Sequence, residues 1–186
     1  MGFVNKDADL HMWIVSLNKF TPTGVLPGEL VSRINEHFKY VWKNDRLSSI
    51  SPDDAFFKQM PKSLQQSLIT FLFDDIFTRF RSFLHTEKFK NSPFYLELAF
   101  ELLPRKYSAH EYILRQGSPV QEIYLINEGS VFIYFEYEGR EIGKMFEKGY
   151  FFGNYNVLSN VAAEFNFKVI KRPRKDQSGD FLIIFL

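Results

Sequence analysis

Gly149-Tyr150-Phe151-Phe152-Gly153-Asn154-Tyr155-Asn156-Val157-Leu158 is the segment on which the reading of this chain turns. A strand runs into a glycine, two aromatics follow, and a second glycine opens a short apolar helical turn. A glycine at the start of such a turn leaves backbone N–H groups free to cradle a phosphate. The segments on either side read as strands. Upstream, Glu111–Arg115, Glu122–Ile126, Ser130–Phe135 and Ile142–Phe146 are short β-rich runs separated by Gly117, Gly129 and Gly139. Downstream, Phe165–Val169 and Asp180–Leu186 flank a polar hairpin. Short strands at regular spacing with glycine turns predict an antiparallel sandwich or barrel. Ile123, Leu125, Phe132, Tyr134 and Phe152 are expected inside it or at its edge.

Before Ser92-Pro93 the periodicity is helical. Leu10, Trp13, Ile14 and Leu17 recur at spacings of three and four. Thr21-Pro22-Thr23-Gly24 breaks that pattern. Pro27 suits the first turn of a second helix, striped by Leu30, Ile34, Phe38 and Val41/Trp42 and ended by Asn44-Asp45. Ser51-Pro52-Asp53-Asp54 reads as a capped start, with acidic residues at the positive helix end, for a short helix through Phe56, Phe57 and Met60. Pro61 opens the longest helix, where Leu64, Leu68, Leu72, Ile76, Phe80 and Leu84 run every fourth residue and Ile69, Phe73, Phe77 and Phe83 widen the stripe. A stripe this wide is expected to pack on two partners, or on a neighbouring subunit. One more helix is expected from Phe94 to about Leu103. The fold class is therefore α+β: an all-helical region over residues 1–92, built of helical hairpins, then an antiparallel β-roll over residues 93–186.

Composition narrows the function classes. Lys plus Arg is 23 and Asp plus Glu 22, a balance that argues against nucleic-acid binding through bulk positive charge. Cysteine is absent, which removes disulfides, thiol nucleophiles and Cys-based zinc sites and fits a reducing, cytosolic setting. The apolar runs are far short of the ~20 residues of a membrane-spanning helix, so no direct membrane insertion is expected. The sequence stops within an apolar run at Leu186, which reads as a piece of a longer protein. Lys171-Arg172-Pro173-Arg174-Lys175 reads as a solvated hairpin tip, with a lipid or partner contact as the alternative.

Catalytic patterns fail one by one. His11, His37, His85 and His110 are scattered, and His110-Glu111 lacks the second zinc-binding histidine because Leu114 occupies that position. Gly139 to Lys144 has the wrong spacing for a P-loop, and Met145 stands where magnesium chemistry needs a hydroxyl. Asp53-Asp54 and Asp74-Asp75 are adjacent on helices, about 100° apart, so neither pair can share a reacting centre. No enzyme, metal site or cofactor is expected.

The segment from Gly149 to Leu158 resembles the phosphate-binding cassette of the cyclic-nucleotide-binding domain family. Gly117, Ile123–Ile126 and Asn127-Glu128-Gly129-Ser130-Val131 resemble the family's strand–glycine–strand core. The helical half is similar to the C-linker that joins pore to nucleotide domain in cyclic-nucleotide-gated, hyperpolarisation-activated and related potassium channels. Leu26-Pro27-Gly28-Glu29-Leu30 resembles the start of that linker's second helix, and Met60-Pro61-Lys62-Ser63-Leu64-Gln65 the start of its fourth. The resemblance runs from about Asp7 to Leu186, and it places the family's closing C-terminal helix beyond Leu186.

It implies a ligand pocket at Phe152, Gly153, Asn154, Tyr155, Ala162, Ala163 and Glu164, and it also shows where this chain departs. Ligand-binding members carry an acidic residue after the cassette glycine to hold the ribose; here it is Asn154. They carry an arginine for the cyclic phosphate, followed by Thr or Ser; here these are Ala163 and Glu164, or Ala162 and Ala163 with a one-residue slip. No arginine occurs from Glu141 to Ile170, and Lys168 is the alternative cation. Weak binding of cAMP or cGMP, or none, is expected. The implied role is the cytoplasmic gating and assembly region of a tetrameric, potassium-type cation channel, at the cytoplasmic side of a membrane. Its partners would be other subunits, docking through Trp13, Ile14, Leu17, Phe38 and Trp42. The alternative is a functional cAMP- or cGMP-sensing regulatory domain of a channel or of a cytosolic signalling protein.

Overall fold

The computed structural model describes residues 6–47, 50, 55–84, 93–170 and the backbone of 179–185. The expected cap at 51–54, His85 and the basic run at 171–175 lie outside the described residues. The chain divides into two compact units, residues 1–43 and 44–186. The division expected from the sequence, at 92/93, falls inside the second unit, which combines helices with the β-roll.

The first unit holds α1 (Lys6–Asn18) and most of α2 (Gly28–Asn44). Leu10 and Ile14, one helical turn apart, are its buried positions on α1, and α2 has none. Trp13 meets Phe38 edge-on at 6.1 Å, and Phe38 meets Trp42 at 5.9 Å. Asn18 Oδ1 accepts the Leu26 N–H at 2.9 Å, fixing the turn between the helices.

In the second unit, α3 (Ala55–Gln59), α4 (Lys62–Arg79), α5 (Arg81–Leu84) and α6 (Phe94–Glu101) precede the strands. Pro61 sits immediately before α4, where its missing N–H costs nothing. The long helix expected through Leu84 is broken at Phe80, and α5 resumes after it. The buried stripe is Ile69, Phe73, Ile76, Phe77, Phe80 and Leu84, while Leu64 at the start of the expected stripe is exposed. Arg46 clamps α4 from outside: Nη2 donates to Asp75 Oδ2 at 2.9 Å and Nη1 donates to the Leu72 carbonyl at 2.6 Å. That hydrogen-bonded guanidinium holds the Asp75 carboxyl below its usual range. Helix α6 ends sooner than expected. Leu102 turns into β1 (Leu102–Tyr107), a strand hidden from the sequence reading by Pro104, which an edge strand tolerates.

The remaining strands are β2 (Tyr112–Leu114), β3 (Glu122–Glu128), β4 (Ser130–Tyr137), β5 (Arg140–Glu147), β6 (Phe151–Phe152), β7 (Asn166–Val169) and β8 (Gly179–Phe185), with a short helix α7 (Asn154–Ser159) after β6. They form two antiparallel four-stranded sheets, ordered β1-β8-β3-β6 and β2-β7-β4-β5. The α+β class and the antiparallel roll expected from the sequence are present. The hairpin between Phe165–Val169 and Asp180–Leu186 is not. β7 pairs with β2 and β4, and β8 with β1 and β3, so the two strands belong to different sheets.

β3 explains how helices and roll share one framework. Four consecutive residues, Ile123 to Ile126, are buried, as expected of a strand covered on both faces. Ile123 and Leu125 join the helical core with Phe73, Phe77 and Phe80. Tyr124 and Ile126 face the other way, into the roll with Val131, Phe167 and Val169. Phe83 of α5 packs on Phe151 of β6 at 4.4 Å, and the Arg79 guanidinium hydrogen-bonds Asn127 at the end of β3.

Candidate functional site

The inner face of the second sheet can be read from its register. Val131 lies between Phe146 and Val169, and Ile133 between Lys144 and Phe167. Phe135 pairs with Ile142 and touches Phe165 at 6.3 Å. Alternation puts these residues on one face. The lattice is aliphatic and aromatic except for Lys144 at the β5 edge of its middle row. With β6 and α7 it encloses a cleft of about 540 Å³.

The cassette residues complete that cleft. Phe152, 5% exposed, is stacked between Tyr124 at 5.0 Å and Phe167 at 4.6 Å, so one ring bridges the two sheets. Gly153 has φ +90°, and a Cβ there would stand 2.6 Å from the Glu122 carbonyl oxygen. Only glycine allows β6 to turn into α7 this close to β3. Gly153→Ala is expected to cost about 2–4 kcal/mol, combining left-handed strain with displacement of backbone. Chemical denaturation would measure it; a loss below about 1 kcal/mol would show that the turn relaxes freely.

Phe152, Gly153, Asn154, Tyr155 and Glu164 line the cleft together. Ala162 and Ala163 do not. Ala163 is 3% exposed and packs in the roll's core with Leu114 and Val120. Its backbone is tied to the turn opposite: the Ser118 carbonyl accepts its N–H at 2.9 Å, and its carbonyl accepts the Gly117 N–H at 2.8 Å. Of the two registers left open by the sequence, the cleft therefore presents Glu164. Lys168 points elsewhere. Its Nζ lies 4.0 Å from Glu141 Oε1 and 5.4 Å from the centre of the Tyr112 ring.

Two residues were missed in the sequence. Asn156 is buried in α7. Its Nδ2 donates to the Ala162 carbonyl at 2.9 Å, and its own carbonyl accepts the Val161 N–H at 3.0 Å, so it positions the segment that carries Glu164. Lys144 is the cation among the described residues lining the cleft. Strand alternation around Gly143 held the signal for it, since Lys144 falls in phase with Ile142 and Phe146.

Behind the cassette, Arg105 pairs with Glu122 through both guanidinium nitrogens, at 2.8 and 3.2 Å, and the Tyr124 hydroxyl donates to Glu122 Oε2 at 2.8 Å. Burial, reinforced by that carboxylate, pushes the Tyr124 phenol well above its ordinary value. On the outer face the Tyr112 and Tyr134 hydroxyls share a hydrogen bond at 2.9 Å, which with burial raises the Tyr134 phenol. Neither phenol supplies an anion at neutral pH, and neither lines the cleft.

Residues 104–171 match the cyclic nucleotide-binding domain family. Over 152 residues, 82% of this chain, the sequence is 23% identical to human cyclic nucleotide-gated channel alpha-3, of which the chain covers 21% of the length. That alignment is too long to fit between residue 104 and Leu186, so it takes in part of the helical segment. Among solved structures, a variant of the regulatory subunit of a cAMP-independent protein kinase A from Trypanosoma brucei, bound to cAMP, is similar with TM-score 0.50 and 20% identity, over 64% of this chain and 41% of that one. The regulatory domain of Toxoplasma gondii protein kinase A with cAMP gives TM-score 0.48 and 15% identity, over 68% and 43%. Residues 104–171 therefore resemble a cyclic nucleotide-binding domain, and the wider similarity, over 152 residues, is to a cyclic nucleotide-gated channel.

Proposed function

We propose that this domain, with the helices before it, is the cytoplasmic gating and assembly region of a tetrameric, potassium-type cation channel, and that its cleft binds cAMP and cGMP weakly or not at all. The observation that carries the second part is Glu164 in the cleft wall, with no arginine from Glu141 to Ile170. By the resemblance, the phosphate-binding arginine and the hydroxyl after it fall at Ala163 and Glu164, or at Ala162 and Ala163. The channel reading is supported by the alignment that extends from the nucleotide domain into the helices. It predicts that the upstream part of the full-length gene encodes several transmembrane helices and a pore loop; a gene without them would exclude it.

Assembly is the second element. The first unit leaves Met12, Val15, Phe20 and Val25 exposed, and Trp13 is 47% exposed. Phe38 and Trp42 are half-buried beside it. Ile14 is 6% exposed and contributes to the fold of the monomer, so it leaves the set of contact residues expected from the sequence. Subunits held together by a pore have a high effective concentration, and the isolated chain lacks that advantage. Light scattering is expected to show a monomer when dilute and larger species as concentration rises, with Trp13→Ala/Trp42→Ala remaining monomeric throughout. A wild-type chain that stays monomeric at millimolar concentration would count against this surface.

A further inference from the structure

We infer that the cleft is a site for an apolar or aromatic monoanion, with Lys144 as its counter-ion. The inference rests on reading this cleft as the domain's ligand site, and it goes beyond the expectation that cyclic nucleotides bind poorly.

Lys144 stands at one end of the middle row of the sheet, beside Ile133 and, across it, Phe167. Its neighbours along β5 on the same face are Ile142 and Phe146, and its Nζ lies 5.8 Å from the centre of the Phe146 ring. It makes no ion pair with any described residue, whereas Arg46, Arg105 and Lys168 each face a carboxylate. An exposed ammonium on an apolar face, with a ring below it and no ion pair among the described residues, is matched by a ligand that brings both an anion and apolar surface.

The other charge in the cleft wall, Glu164, adjoins Phe165 at the β7 side. Two strand spacings, about 10 Å, separate β7 from β5. A ligand whose acid group meets Lys144 can lay its apolar body over Ile133 and Phe167 and keep its charge away from Glu164. At about 540 Å³ the cleft is within the usual size of small-molecule sites. A cyclic nucleotide fits this arrangement poorly, because its sugar and phosphate need polar partners where the floor is hydrocarbon.

The test uses the 186-residue chain and three probes of one shape: 1-naphthoate, neutral 1-naphthylmethanol and cationic 1-naphthylmethylammonium. Calorimetry and amide-shift mapping would follow each. Naphthoate is expected to bind saturably, to shift amides of β4, β5 and β7, and to bind about 10-fold more tightly than the alcohol, as one charge-assisted contact allows. Lys144→Met preserves apolar bulk and should erase the difference between acid and alcohol. Lys144→Glu should invert the preference in favour of the ammonium, and an unchanged melting temperature would exclude misfolding. Equal binding of acid and alcohol by the wild type, or an undiminished preference in Lys144→Met, would overturn the inference. Tight cAMP binding alongside these results would instead overturn the expectation of a weak nucleotide site and leave the role of Lys144 standing.

Discussion

Phe152→Ala will destabilise the domain by about 3–5 kcal/mol, the usual cost of deleting a buried phenyl group. The upper part of that range is expected. The ring is stacked on Tyr124 from one sheet and on Phe167 from the other, so its removal opens a cavity between two layers that no single strand can close. Aromatic stacking adds to the area term. Phe152→Leu should recover much of the loss, since it refills volume without restoring the stack. Urea denaturation of both variants would measure this. A cost below about 1 kcal/mol for the alanine variant would show that the ring does not join the sheets.

Titrated with cAMP or cGMP at low salt, the 186-residue chain is expected to show no saturable binding below about 1 mM. The resemblance expects one charge-assisted contact to the phosphate, worth roughly 1.5–3 kcal/mol, and this chain has no arginine to make it. Glu164 contributes repulsion. A carboxylate about 5 Å from a phosphate costs about 1–3 kcal/mol, depending on how much water screens it. At Asn154 an amide can still accept a hydrogen bond, so that loss is smaller. Together these effects weaken affinity on the order of 10²- to 10⁴-fold. Glu164→Gln is expected to recover part of this loss and no more. Saturable low-micromolar binding by the wild type would show that another cation has taken the arginine's place. Lys144, which lines the cleft, would then be the residue to mutate, in preference to Lys168.

The helices and most strands were legible because each repeats one local rule. Apolar spacing of three and four marked α1, α2 and α4, and glycine-bounded β-rich runs marked β2 to β5. The misses share a different cause, which is that they depend on distant contacts. Nothing in the run through Leu84 forecasts the break at Phe80, because the apolar spacing continues across it. β1 carries a proline and no alternation, and its identity comes from β8, about eighty residues away. The false hairpin arose because proximity in sequence favours local pairing, while the sheets sort β7 and β8 apart. In the cleft, the cassette was visible as a motif. The inward turn of Ala163 into the core was not, because a one-residue slip exchanges core and cleft positions and leaves the local pattern unchanged.

Strand β8 lies between β1 and β3, hydrogen-bonded to both. On the ribosome, β1 and β3 emerge well before residues 179–185 and have no partner for the central gap. The framework that carries Gly153 and Phe152 is therefore incomplete until nearly all of this segment has been translated. Until then two strand edges face the cellular milieu, a state in which chaperone capture competes with off-pathway pairing. The cleft wall at β6 is anchored late, because β6 pairs with β3 in the sheet that β8 completes.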